Sequence, residues 1–159
     1  MKTVDNFLPH HCIDELQKCI FENGDFSWFY CPAIVETDAD NRNYQFVHEF
    51  YKNDKINSDY FYIIEKLVLC RLPVRSLIRC KINITFCHET SYNSHFHVDN
   101  DFKGATTAIF YLNSNNGYTE FECGKKIESK KNRIVIFDSK LKHRGVSSAD
   151  KKERVVLNI

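Results

Sequence analysis

From residue 77 to the C-terminus the hydrophobic period of the chain is that of β-strands. Five short runs, "LIRCKINITF", "TTAIFYLN", "YTEFE", "RIVIFD" and "RVVLNI", are rich in β-branched and aromatic residues. Turn composition separates them, as in Asn113 to Gly117 and Cys123-Gly124. This half is therefore expected to be all β.

The first half reads differently. "LPHHCIDELQKCIFENG" has Pro9 near its start, Ile13, Leu16 and Ile20 at three- and four-residue steps, and Asn23-Gly24 as a stop, which predicts a helix. "NSDYFYIIEKLVLCRLP" predicts a second, with Ser58 as N-cap, an apolar face through Phe61, Ile64 and Val68, and Pro73 as terminator. Between them "VETDADNRNYQFVHEFYKNDK" has no clean period and is expected to be loop with a strand or two. Two helices feeding a β-rich half predict an α+β chain. The expected core is a double-stranded β-helix (jelly roll) with the N-terminal helices packed on one sheet, a single domain over residues 1–159.

Composition narrows the function classes. The chain has 22 basic and 21 acidic residues, a net charge of +1, which gives no general pull toward nucleic acid or a membrane surface. No apolar run approaches the roughly 20 residues that span a bilayer, and "MKTVDNFLPHHC" does not read as a signal peptide. Seven cysteines is an odd count, and no Cys-x-x-Cys pair occurs, so reduced thiols in a cytoplasmic protein are expected. The 13 Phe and eight Tyr predict a core rich in rings.

The chemistry is concentrated at three places in or beside these runs. In "SHFHVDND", His97 and Asp99 are two apart, so on a strand both side chains leave the same face. His143, which follows "RIVIFD", is the best third ligand. Two imidazoles and a carboxylate on one face of an ion leave the opposite positions open, the arrangement of the facial triad of non-haem Fe(II) oxygenases. Arg154 opens the final strand, and a guanidinium beside such a metal suits a bidentate salt bridge to a dicarboxylic co-substrate. His95 faces with His97 and is expected to line the entrance. Arg71, Arg75 and Arg79, like Lys125, Lys126, Lys130 and Lys131, are expected to be solvated.

These residues together resemble the Fe(II)- and 2-oxoglutarate-dependent dioxygenases, and within them the prolyl 4-hydroxylase-like branch, with short stand-alone phage oxygenases as a narrower likeness. "VDNFLPHHCIDELQKCI" looks like that branch's leading strand and helix, "HVDND" and "TTAIFYLN" like its metal strand and the next, and "GYTEFECG" to "ERVVLNI" like the rest of its core. The resemblance is good from about residue 77 to the end and loose over 25–70. It implies that His97, Asp99 and His143 bind Fe(II). It also implies that Arg154 and Tyr111 hold the distal carboxylate of 2-oxoglutarate, and that Asn158 and, more weakly, Asn83 line the site. Dioxygen would be the oxidant, with ascorbate also admitted. The implied reaction is hydroxylation of a prolyl or other peptidyl residue, or of a small molecule, with release of succinate and carbon dioxide. One departure is Asn116-Gly117-Tyr118 where the branch often has Gly-Gly, which bears on the lid over the site. Specificity is expected to lie on loops 31–57 and 88–94. Two other readings stand beside this one: a non-catalytic metal-binding jelly-roll module used for interaction, and an oxygenase acting on a nucleobase, which the near-neutral charge disfavours.

Overall fold

The structure is a computed structural model and describes residues 1–34, 44–87 and 93–159. Helix α1 (His10–Gln17) starts after Pro9, whose carbonyl accepts from the amides of Cys12 and Ile13 at 3.0 and 3.2 Å. Proline suits that place because the first amides of a helix have no partner within it. α1 buries Cys12, Ile13 and Leu16, then runs on as a π turn, Lys18–Glu22, that buries Ile20 and ends at extended Asn23. Helix α2 (Phe61–Leu67) is shorter than the sequence suggests, and a 3-10 turn, Leu69–Arg71, follows it. Ser58 does not take the N-cap position, which Tyr60 fills. The reason is competition for its hydroxyl. Ser58 Oγ lies 2.7 Å from His48 Nε2 and accepts from the amide of Tyr60, the residue just ahead of the helix, at 3.1 Å.

The strands form two antiparallel sheets. Those flanking the helices are β1 (Lys2–Val4), β2 (Phe29–Cys31), β3 (Gln45–Lys52), β4 (Lys55–Ile56) and β5 (Arg79–Phe86). The rest are β6 (Thr106–Tyr111), β7 (Tyr118–Phe121), β8 (Lys126–Glu128), β9 (Arg133–Asp138), β10 (His143–Val146) and β11 (Glu153–Asn158). The larger sheet runs β1-β9-β6-β11-β5-β3-β2, with β4 paired to β3, and the smaller runs β10-β7-β8. All five runs identified in the C-terminal half are strands. The period-free stretch before them holds β3, an eight-residue strand between β2 and β5. Its pattern is hard to read because the buried positions include Gln45 and His48 as well as Phe50. Residues 45–52 and 55–56 of the expected specificity loops are therefore sheet, while 35–43 and 88–92 lie outside the described residues.

His97 and Asp99 do not lie on a regular strand. Residues 93–97 run beside β10 through two isolated bridges, Asn93 with Val146 and His97 with His143. Between the bridges the Ser94 hydroxyl, instead of a backbone carbonyl, accepts from the Gly145 amide at 3.1 Å. A side chain inserted into the ladder breaks its regularity, yet leaves the His97 and His143 backbones joined by two 2.9 Å hydrogen bonds.

Two clusters of buried side chains divide the interior. One takes in Ile13, Leu16, Ile64 and Leu67 of the helices together with Cys80, Ile82, Phe110, Ile134 and Leu157 of the larger sheet. The other joins Ile109, Tyr111, Val135, Phe137 and Val156 of the larger sheet to Phe121 and Ile127 of the smaller. None of the seven cysteines, all among the described residues, is in a disulfide. No helix among the described residues is long and apolar enough to cross a membrane.

Candidate metal centre and its cavity

The ligand atoms of His97, Asp99 and His143 lie within 4.8 Å of one another. Among the described residues this is the one group of three or more His, Cys, Asp or Glu so placed. His143 opens β10 and is seated between rings from both sheets, with Phe137 at 4.9 Å and Phe121 at 5.9 Å. It is 4% exposed, and burial lowers its pKa against the opposing pull of Asp99, which keeps the imidazole neutral. Its Nδ1 lies 3.0 Å from the Leu141 carbonyl, and His97 Nδ1 lies 3.1 Å from the His95 carbonyl. A carbonyl can only accept, so both rings carry a proton on Nδ1, which leaves Nε2 as the nitrogen that can ligate. The fit to a divalent metal follows from that donor set: two imidazole nitrogens in the ligating tautomer and one carboxylate.

Asp99 is held from two sides. Thr107 Oγ1 donates to Oδ2 at 2.8 Å, and Arg79 Nη2 donates to Oδ1 at 3.2 Å. His143 Nε2 is 3.5 Å from Oδ2. Arg79 was expected on a solvated face, and the structure corrects this. β5 alternates, so Arg79, Lys81, Asn83 and Thr85 share its cavity side while Cys80 and Ile82 enter the core.

The ligands open on a cavity of about 550 Å³, whose walls include Arg79, Lys81, Asn83, Thr119, Arg154 and Asn158. Arg154 is 6% exposed and has no carboxylate partner among the described residues. Its Nε donates to Ser129 Oγ at 2.9 Å and its Nη2 to Thr119 Oγ1 at 3.0 Å. Burial depresses its pKa, with Tyr111 opposing. A desolvated guanidinium served only by neutral hydroxyls has spare donors and an unbalanced charge, which is the fit expected of a receptor for an incoming carboxylate. Tyr111 is fully buried and is not among the residues lining the cavity. Its hydroxyl donates to Thr119 Oγ1 at 2.7 Å, the same oxygen that accepts from Arg154, and its ring lies under the Arg154 guanidinium at 5.6 Å.

Asn83 and Asn158 both face the cavity and are tied to each other. Asn158 Nδ2 donates to Asn83 Oδ1 at 3.3 Å, and Asn83 Nδ2 donates to Gln45 Oε1 at 2.6 Å, a polar ladder across β11, β5 and β3. His95 is exposed and outside the ligand group. Gly117 explains half of the Gly-Gly departure. A Cβ there would stand 2.7 Å from the Val146 carbonyl oxygen and 2.9 Å from Arg154 Cδ, so no larger residue fits beside the guanidinium. Asn116, in contrast, is used: its Oδ1 accepts from the Ala149 amide at 2.8 Å and its own amide donates to Asp150.

Sequence reasoning missed Thr107, Thr119, Ser129 and Lys81. Small hydroxyl residues on strands are too common to single out. Lys81 had a signal in the strict alternation of polar and apolar residues along "RCKINITF".

No family profile matches the sequence and no curated protein resembles it significantly. Solved structures do match. A prolyl hydroxylase from Trichoplax adhaerens, in complex with a hypoxia inducible factor oxygen degradation domain peptide fragment, superposes with a TM-score of 0.67 at 15% identity, covering 99% of this chain and 80% of that one. A 2OG-Fe(II) oxygenase family oxidoreductase from Burkholderia pseudomallei gives 0.66 at 11%, covering 98% and 83%. A prolyl-4-hydroxylase from Pseudomonas putida gives 0.62 at 18%, covering 99% and 89%. At these identities the shared property is the architecture, and over nearly its whole length the chain has the fold of the prolyl hydroxylases and 2OG-Fe(II) oxygenases.

Proposed function

We propose that the protein is an Fe(II)- and 2-oxoglutarate-dependent dioxygenase whose substrate is a prolyl or other peptidyl residue. The observation that carries this is Arg154: a buried guanidinium without a carboxylate among the described residues, lining the same cavity as His97, Asp99 and His143. A metal used only for structure has no need of such a group. The peptide assignment is supported by the fold shared with a prolyl hydroxylase solved with a peptide. When bound, iron and 2-oxoglutarate supply the oxidation, in which dioxygen is consumed, the co-substrate leaves as succinate and carbon dioxide, and hydroxyl is added to substrate. The chain's own part is placement. His97 and His143 offer Nε2, their tautomers fixed by the carbonyls of His95 and Leu141. Asp99 is aimed by Arg79 and Thr107. Arg154 with Thr119 receives the distal carboxylate, and Asn83 and Asn158 shape the wall between. Ascorbate as accessory reductant, a cytoplasmic location and a single domain over 1–159 belong to the same proposal.

The test is a titration of 2-oxoglutarate into the anaerobic Fe(II) protein, followed by its visible charge-transfer band, with succinate measured after air is admitted. The parent should bind and turn over. Arg154→Ala should keep its iron and lose about 2–5 kcal/mol of co-substrate affinity, roughly 30- to several-thousand-fold. His97→Ala, Asp99→Ala and His143→Ala should each lose iron itself, and unchanged iron content in all three would sink the assignment.

A further inference from the structure

Of the cations on the cavity wall, two have evident work and one does not. Arg79 is paired with Asp99 at 3.2 Å, and Arg154 is suited to the co-substrate. Lys81 remains. It lies on β5 with its side chain in the cavity wall, and its ammonium makes no hydrogen bond or ion pair with any described residue. Directly across the strand pair from it is Glu49 on β3, the partner that would ordinarily neutralise it. That carboxylate is engaged elsewhere, accepting from Asn57 Nδ2 at 3.2 Å and pairing with Lys52 at 3.4 Å. Burial and then Arg79 lower the Lys81 pKa to about 8, and the more distant Asp99 and Glu49 carboxylates oppose this without reversing it. An ammonium in that state destabilises the fold unless something occupies the cavity with it.

The register places it relative to the other groups. Lys81 lies opposite Asn158 on β11, and Arg154 lies opposite Thr85, four residues further along β5. The strand rise of about 3.3 Å per residue puts the two positions roughly 13 Å apart along β5. The Arg154 and Lys81 positions therefore fall at different ends of the wall, with Arg79 and Asp99 at the Lys81 end.

We propose that Lys81 is a specificity-determining residue that receives an anionic group, a carboxylate, of the primary substrate, so that the peptide taken by this cavity is acidic beside its reacting residue. The inference rests on the oxygenase reading above. A compact, flexible point charge suits a side-chain carboxylate presented from varied directions, as a planar guanidinium would not.

The probe is a panel of blocked peptides with Asp or Glu on either side of a central proline, each matched to its Asn or Gln counterpart. Each is titrated anaerobically into the protein already loaded with Fe(II) and 2-oxoglutarate, with the shift of the charge-transfer band as readout. The parent should bind acidic members roughly 10- to 100-fold more tightly than their amide matches. Lys81→Met and Lys81→Gln should bring that ratio close to one, leave 2-oxoglutarate affinity within about twofold of the parent, and melt no lower than the parent. The assignment is overturned if the parent shows no preference for acids, including binding none of the panel, or if the preference survives both substitutions. It is also overturned if Lys81→Met loses 2-oxoglutarate affinity as Arg154→Ala does, which would make Lys81 part of the co-substrate clamp. Absence of the 2-oxoglutarate band before any peptide is added overturns the oxygenase reading instead, so the two failures are separable.

Discussion

Thr119 Oγ1 stands 2.7 Å from the Tyr111 hydroxyl and 3.0 Å from Arg154 Nη2, so the two residues expected to hold a carboxylate together share a third as hydrogen-bond partner. Because that oxygen accepts from both, its own proton is free to be donated, and the cavity is where Thr119 is exposed to an acceptor. Thr119→Val should therefore weaken 2-oxoglutarate binding by about 1–3 kcal/mol, since it removes a donor to a charged group. Tyr111→Phe should cost less, about 1 kcal/mol, because it loses only a hydrogen bond to a neutral hydroxyl. The anaerobic titration measures both, and a larger loss for Tyr111→Phe would return the tyrosine to direct contact with the co-substrate.

At the scale of elements, β1 is three residues long at the edge of the larger sheet and pairs only with β9, so its own hydrogen bonds hold it weakly. The residue after it reinforces the attachment. Asp5 accepts from Arg133 Nε at 2.6 Å and Nη2 at 3.1 Å, and from Lys130 at 2.9 Å. The Arg133 and then the Lys130 hydrogen bonds hold its carboxyl far below the ordinary carboxylate range. A depressed carboxylate stabilises the fold fully above its unfolded pKa, near 4, and that contribution is lost as pH falls toward the lower folded value. The carboxylate is more than one-third exposed, which limits the effect. Asp5→Asn should cost about 1 kcal/mol at pH 7, and the gap between variant and parent should narrow as the pH is lowered through about 3. Urea denaturation at pH 7 and pH 3 reads it, and an undiminished gap at the lower pH would show that charge is not the cause.

For the molecule as a whole, the unpaired cations of the cavity and the bare imidazole nitrogens make the ligand-free protein less stable than the loaded one. A ligand that binds only the folded state stabilises by about 2.7 kcal/mol at a hundred times its dissociation constant. For a chain of this length that is a rise of roughly 5–10 °C in melting temperature. Mn(II), which cannot drive the oxidation, should raise Tm, and 2-oxoglutarate should raise it further only when metal is present. In Arg154→Ala the metal increment should persist and the 2-oxoglutarate increment should disappear. An equal second increment in parent and variant would place the clamp elsewhere.

The five C-terminal strands, α1 and the candidate trio His97, Asp99 and His143 that the structure brings together were legible because each depends on local order: a period of two or 3.6, a proline, a histidine after a strand. Ser58 and the strand assigned to His97 and Asp99 were misread, and β3 was foreseen only as an unplaced strand, where a distant group intervenes: His48 at the hydroxyl, β2 and β5 on either side of a polar-looking segment, Ser94 in the ladder to Gly145. The roles of Arg79, Lys81 and Thr119 could be decided only by tertiary structure. β5 and β11 are neighbours although β6 to β10 separate them in the chain, and that pairing sets Lys81 against Asn158 and turns Arg79 toward Asp99. Whether a lysine is solvated or left as the unanswered charge of a cavity depends on where Glu49 finds its partners, and no spacing along the sequence records that.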